Sequence, residues 1–221
     1  MTEVEDKTEF KFSELSDSAK AAARDKYRSD DHLGYDWWDY TYEDAVRMGE
    51  LLGIEISKTW HAPNNPNRKG YETIDISFSG FCSQGDGASF EGNYRYAPEA
   101  IANVVSETID EELLRIAQEL TILQLTRRLQ GLEPFSAMIR TSGNYSHSGT
   151  MNVEVNSEDE DDEHINVSED LEDDVTRLMR NFADYIYANL EKEYEYLTSD
   201  EYINERLNEG DGMFDEDGAI I

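Results

Sequence analysis

Basic residues are scarce in this chain. Its 221 residues include 19 Lys and Arg against 50 Asp and Glu, a formal net charge of −31. Self-repulsion at that level costs stability and is screened by salt. It turns away nucleic acid and anionic membranes, and it draws in partners with basic surfaces. There is one cysteine, Cys82, so no disulfide can form within the chain, and the cytosol is the default compartment. No apolar run approaches the roughly 18 residues of a membrane span. The opening MTEVEDKTEF lacks the basic and apolar regions of a signal peptide. Four histidines and one cysteine show no zinc spacing. With no Pro- or Ser-rich linker, 1–221 reads as one domain that ends in a flexible acidic tail over 209–221.

What is present supports a core, since hydrophobic residues make up 38% and aromatics 11%. SELSDSAKAAARDKYRS predicts a helix with Ser16 and Asp17 as capping candidates. A second helix is expected from Tyr42 to Leu52, stopped by Gly53. IEISKTW, YETIDISFSGF and ASFEGNYRY alternate as strands, with Ile74, Ile76 and Phe78 on one face of the second. After Pro98 the stripe Leu113, Ile116, Leu120 and Leu123 marks a helix. FSAMIRTSG and GTMNVEVNS form a hairpin. Leu171, Val175, Leu178, Phe182 and Ile186 then predict a long amphipathic helix, and SDEYINERLN a shorter one. The pattern is an α+β fold: an antiparallel sheet built from β-hairpins and packed against amphipathic helices.

The stretch FSGFCSQGDGASFEG, residues 78–92, looks at first like an active-site loop. A phosphate-cradling loop runs from a strand into a helix N-terminus, whereas this one runs into another strand. SQGDG supplies the small residues a hairpin turn needs. A nucleophilic Cys82 would need a histidine beside it, and nothing in the sequence brings one there. Cys82 is therefore expected as a structural residue on a strand, and Gly80 and Gly92 as points of bulge or close backbone approach. In GMFDEDGAII, Asp215, Asp217 and Gly218 have part of a calcium-loop spacing, but the first ligand position holds Met213 and the twelfth lies beyond the chain. No catalytic residue, metal site or cofactor is expected.

Charge is the sharper signal. From Glu158 to Asp174 eleven of seventeen residues are acidic and none is Lys or Arg. A solvated loop followed by an acidic helix start explains this without any function, because the helix macrodipole favours anions there. Phosphate imitation is the functional alternative, since duplex DNA carries one charge per roughly 1.7 Å of axis. The candidate partner-binding residues are Glu158, Asp159, Glu160, Asp161, Asp162, Glu163, Asp170, Glu172, Asp173 and Asp174, with Trp37 and Trp38 as aromatic anchors.

ELSDSAKAAARDKYR, DWWDYTYEDAVRMGELLGIEI, FSGFCSQGDGASFEG and LEKEYEYLTSDEYINE occur in that order. Together they resemble a family of bacteriophage and prophage proteins often labelled "antitoxin of toxin-antitoxin stability system". FSGF-x-SQGDGA-x-F-E-G is the most specific piece. Members of that family usually carry tryptophan where this chain has Cys82, which counts against a catalytic thiol. The resemblance implies a phage-encoded accessory protein in the cytoplasm of an infected bacterium. The leading expectation is an inhibitor that binds a basic, nucleic-acid-handling bacterial protein by presenting a DNA-like face. An antitoxin that neutralises a toxin by direct binding is the rival. A small metal-dependent hydrolase is the third class, and tight stoichiometric metal binding would promote it. Direct binding to nucleic acid or to a membrane is not expected.

Overall fold

Strand pairing in this chain changes partner at Ser57, Asp75 and Glu91, and these three residues organise its β structure. The computed structural model describes residues 9–29, 33–34, 36–63, 69–143, 145–157 and 167–221. Strand β1 (Ile54–Ile56) pairs with β6 (Gly92–Tyr94), β2 (Lys58–His61) with β3 (Tyr71–Ile74), and β4 (Ile76–Phe78) with β5 (Ala88–Phe90), all antiparallel. Between them, the Ser57 N–H donates to the Glu91 carbonyl (2.8 Å), the Glu91 N–H to Asp75 (2.9 Å) and the Asp75 N–H to Ser57 (2.9 Å). The closed ring is a three-way junction. Each chain segment leaves one ribbon and enters the next there, without leaving a backbone donor unanswered. Sequence alternation predicts three continuous strands. The structure corrects this to six short ones, because a single junction residue breaks the pairing but leaves the alternation of side chains intact. Ile76 and Phe90 are buried, while Ile74 and Phe78 are half-buried.

Strands β7 (Phe135–Thr141) and β8 (Met151–Ser157) extend the first ribbon into a four-stranded antiparallel sheet, ordered β1-β6-β7-β8. Its register sets Ile54, Tyr94, Ala137 and Val155 in one row and Ile56, Gly92, Ile139 and Val153 in the next. All eight are buried. Small Ala137 beside Tyr94, and Gly92 between two isoleucines, let large and small residues interdigitate. A Cβ added to Gly92 would lie 2.2 Å from the Glu55 carbonyl oxygen, so this glycine marks a close approach between strands. At Gly80 there is no such crowding.

Helices α1 (Asp17–Ser29), α2 (Asp39–Leu52), α3 (Ala100–Glu107), α4 (Glu111–Leu129), α5 (Glu169–Leu197) and α6 (Asp200–Glu209) complete the α+β fold. Ser16 caps α1 through its hydroxyl, which accepts from the Ala19 N–H (3.2 Å). Gly53 follows α2 with φ +83°, the left-handed conformation expected of a C′ glycine. Between α3 and α4 the chain breaks at Thr108–Asp110, and the Asp110 carboxylate accepts from Glu112 and Leu113 N–H (both 3.0 Å) to start α4. The five apolar positions predicted for α5 are all buried, and Phe182 meets Phe90 of the β4–β5 ribbon edge-on, centroids 5.5 Å apart.

The chain forms two compact units, Tyr40–Leu190 and the described residues up to Asp39 with Glu191–Ile221. The second of these packs α1 and α6 around Phe12, Leu15, Ala19, Ala23, Ile203, Leu207 and Phe214. The end of the chain, expected as a flexible tail, contributes to that core. Phe214 is 2% exposed and bridges Phe10 and Ile220. Two features anchor it: the apolar Phe214, and Gly218, which fits against the Ala19 carbonyl where a side chain would not.

Candidate protein-binding surface

Helix α5 turns its acids outward because Leu171, Val175 and Leu178 turn inward. Its start is capped by Ser168, whose carbonyl accepts from Leu171 (3.0 Å) and Glu172 (3.1 Å) N–H. Glu169, Asp170, Glu172 and Asp173 are exposed, and among the described residues none of them has an ion-pair partner. The dipole at this helix start favours each by about 0.3–1 kcal/mol. Asp174 differs. It is half-buried and binds Arg177 (2.9 Å), which also binds Glu119 of α4 (2.9 Å). The hydrogen bonds that Arg177 donates to Asp174 and Glu119 raise its guanidinium above its ordinary value. Burial pushes the Glu119 carboxyl up, but hydrogen bonds from Arg177 and Arg115 outweigh it and hold the group below its usual range. Asp174 is therefore answered within the fold. Glu158, Asp159, Glu160, Asp161, Asp162 and Glu163 lie outside the described residues.

Trp37 and Trp38, expected as anchors, are both half-buried. Their rings meet edge-on at 5.7 Å, and Trp37 also contacts Tyr194 at 5.8 Å. They form a packed aromatic cluster within their own unit.

The 79–87 loop joins β4 to β5, as the hairpin reading expects, but Cys82 is exposed in that loop and not on a strand. The reason is Phe81. Its ring turns in to stack on Phe78 (5.7 Å) and to contact Tyr187 of α5 (5.4 Å), so the next residue points out. Tyr187 also donates its hydroxyl to the Gly80 carbonyl (2.9 Å). Beyond it, the Asp86 carboxylate accepts from Cys82 N–H (2.9 Å) and Ser83 N–H (2.6 Å). Ser79 accepts from Gly87 N–H and donates to the Ser146 carbonyl, both 3.2 Å. The loop is held at its base and around its turn, and its tip, Cys82–Gly85, faces solvent.

Sequence reasoning missed the β2–β3 ribbon as a surface feature. Trp60 and Tyr71 are 63% and 62% exposed, and His61 stacks on Tyr71 at 4.8 Å. The available signal was aromatic residues on both alternating faces of KTWH and YETI, where a half-buried strand would carry polar residues on one face.

Tyr94 has its hydroxyl pushed up to about 12 by burial, with Gln124 hydrogen-bonded to it (3.3 Å). Gln124 also bonds both the carbonyl (2.8 Å) and the N–H (3.1 Å) of Phe135, which makes this a structural network at the start of β7. Among the described residues no group of three His, Cys, Asp or Glu could hold a metal ion. The Asp215 carboxylate accepts from Asp217 (3.1 Å) and Ala219 (2.9 Å) N–H, closing a turn of its own. No helix among the described residues is long and apolar enough to cross a membrane.

No curated protein and no solved structure matches the chain. Residues 37–200, which hold β1 through β8 and α2 through α5, match the family described as Domain of unknown function (DUF8835), and the chain belongs to that family.

Proposed function

We propose that this protein is a phage-encoded, acidic inhibitor that acts in the cytoplasm of an infected bacterium. It binds a basic, nucleic-acid-handling protein by offering carboxylates where that partner takes phosphates, and it performs no catalysis itself. The observation that carries this reading is the charge density at the start of α5. Glu169, Asp170, Glu172, Asp173 and Asp174 fall within six consecutive residues, a rise of about 9 Å at 1.5 Å per residue. That is one charge per about 1.8 Å, against roughly 1.7 Å for duplex DNA. With Asp174 answered by Arg177, four charges remain, one per about 2.3 Å. The buried face of α5 holds the display rigid, so little ordering is lost on binding.

The test is affinity capture from bacterial lysate with the unaltered chain and with a variant carrying Glu169→Gln, Asp170→Asn, Glu172→Gln and Asp173→Asn. Mimicry predicts a basic partner that is retained at low salt, released by high salt or duplex DNA, and lost with the variant. A partner held equally by both chains would refute it. The antitoxin reading draws support from exposed Trp60 and Tyr71, uncharged side chains of the kind that anchor interfaces. Its signature would be a toxic partner retained at high salt and not displaced by DNA.

A further inference from the structure

Helix α4 is apolar on two opposite sides. Leu113, Ile116, Ala117 and Leu120 are buried against the rest of their unit. On the other side Ile122, Leu125 and Leu129 are exposed to 61%, 44% and 89%. Counted from exposed Gln118, they recur at steps of four, three and four residues, the a/d repeat of a coiled-coil seam. Water-exposed aliphatic side chains clustered on one helix face mark a contact surface. The helix also loses its acids here. From Leu120 to Leu132 the chain has no Asp or Glu, and it carries Arg127 and Arg128.

We propose that this stripe joins two copies of the chain, α4 against α4, antiparallel about a twofold axis near Leu125. Two chains of net charge −31 repel each other, and the repulsion is least where the meeting segments, Leu120 to Leu132, carry no carboxylate. A basic partner would instead seek carboxylates, which this segment does not offer. The spacing is self-complementary. Ile122 lies three residues before Leu125 and Leu129 four residues after it, so an antiparallel pair sets Ile122 of one copy against Leu129 of the other. Twofold self-association of this kind is the commonest form of protein assembly. Three exposed side chains per copy make a small contact, so the association is expected to be weak and to need high protein concentration.

The salt response sets this contact apart from the proposed partner binding, because the two run in opposite directions. Raising salt from about 0.1 M to about 1 M shortens the Debye length from about 10 Å to about 3 Å. Screening should tighten self-association by about tenfold or more, whereas binding to a basic partner weakens. Sedimentation equilibrium of the full chain at both salts, up to about 1 mM protein, reads this directly. Leu125→Asp and the pair Ile122→Gln with Leu129→Gln should leave near-ultraviolet circular dichroism unchanged and abolish the dimer. In a Cys82→Ser chain, Leu125→Cys should form an intermolecular disulfide readily. Val105→Cys, more exposed on α3 but off the stripe, should not. A monomer at every salt and concentration overturns the proposal, as does a dimer that survives Leu125→Asp or cross-links as fast through Val105→Cys. Loss of a lysate partner from the Leu125→Asp chain without any wild-type dimer would assign the stripe to that partner and likewise overturn it.

Discussion

Alanine at Gly92 perturbs the point where β6 passes closest to β1. The added Cβ would sit 2.2 Å from the Glu55 carbonyl oxygen and 3.1 Å from both the Glu55 carbonyl carbon and the Ile56 Cα. These are backbone atoms, which cannot rotate aside. Restoring ordinary contact moves β1 by about 1 Å, enough to stretch its hydrogen bonds to β6 beyond useful length. Losing two such bonds costs about 1–3 kcal/mol, and the overpacking adds about 1–3 kcal/mol. The sum, about 2–6 kcal/mol, is a large share of a typical stability of about 5–15 kcal/mol. Alanine at Gly80 is the control from the same sequence motif. Its nearest neighbour is the Asp86 carboxylate at 3.5 Å, an ordinary contact, so the expected change stays within about 0.5 kcal/mol. Urea denaturation of the three proteins measures both, with the midpoint shifting and the slope unchanged. A Gly92→Ala cost below about 1 kcal/mol, or equal losses at the two sites, would refute the close-approach reasoning.

Alkaline titration tests the core network. The folded chain holds the Tyr94 proton to about pH 12, whereas the unfolded chain releases it near pH 10. The stability from this group is complete below pH 10 and is lost as pH rises toward 12, at most about 3 kcal/mol. Tyr94→Phe should flatten that part of the profile. Gln124→Leu strands the buried N–H and carbonyl of Phe135 and should cost about 2–5 kcal/mol in urea unfolding, while Gln124→Glu keeps an acceptor for the Phe135 N–H and removes the NH2 that donates to its carbonyl. Cys82→Ser should change stability by no more than about 0.5 kcal/mol, since the thiol faces solvent. A large loss on thermal melting would mean that the thiol packs. Asp86→Ala removes the acceptor for two loop N–H groups and should increase hydrogen exchange at Cys82 and Ser83 without lowering global stability by more than about 1 kcal/mol.

The parts of the fold visible in the sequence are those with long periodic runs. Leu171 to Ile186 announces α5, and Ser16 and Gly53 mark helix ends, because capping and amphipathic spacing are local properties. The three-way junction at Ser57, Asp75 and Glu91 was not visible. Its ring of hydrogen bonds joins residues far apart in the chain, and the period-2 pattern runs through each break unchanged. Cys82 was misplaced because Phe81 turns inward to meet Tyr187, a contact more than a hundred residues distant. For the candidate surface, the sequence showed how many acids α5 has, but not that Arg177 answers Asp174. The outer stripe of α4 was written at Ile122, Leu125 and Leu129. The inner stripe on the same helix already accounts for its apolar spacing, so the outer one stood out only once the burial of each face was known.

The most direct test of phosphate imitation is the association rate of the captured basic partner, followed against ionic strength for the unaltered chain and the variant neutralised at Glu169, Asp170, Glu172 and Asp173. Exposed carboxylates act mainly by steering, so the association rate should fall by about tenfold or more on neutralisation, while dissociation changes far less. The salt dependence should flatten in the variant, and duplex DNA should compete with the unaltered chain for the same partner surface. Equal association rates and equal salt dependence for the two chains would contradict the mimicry and leave the α5 acids as a solvated surface.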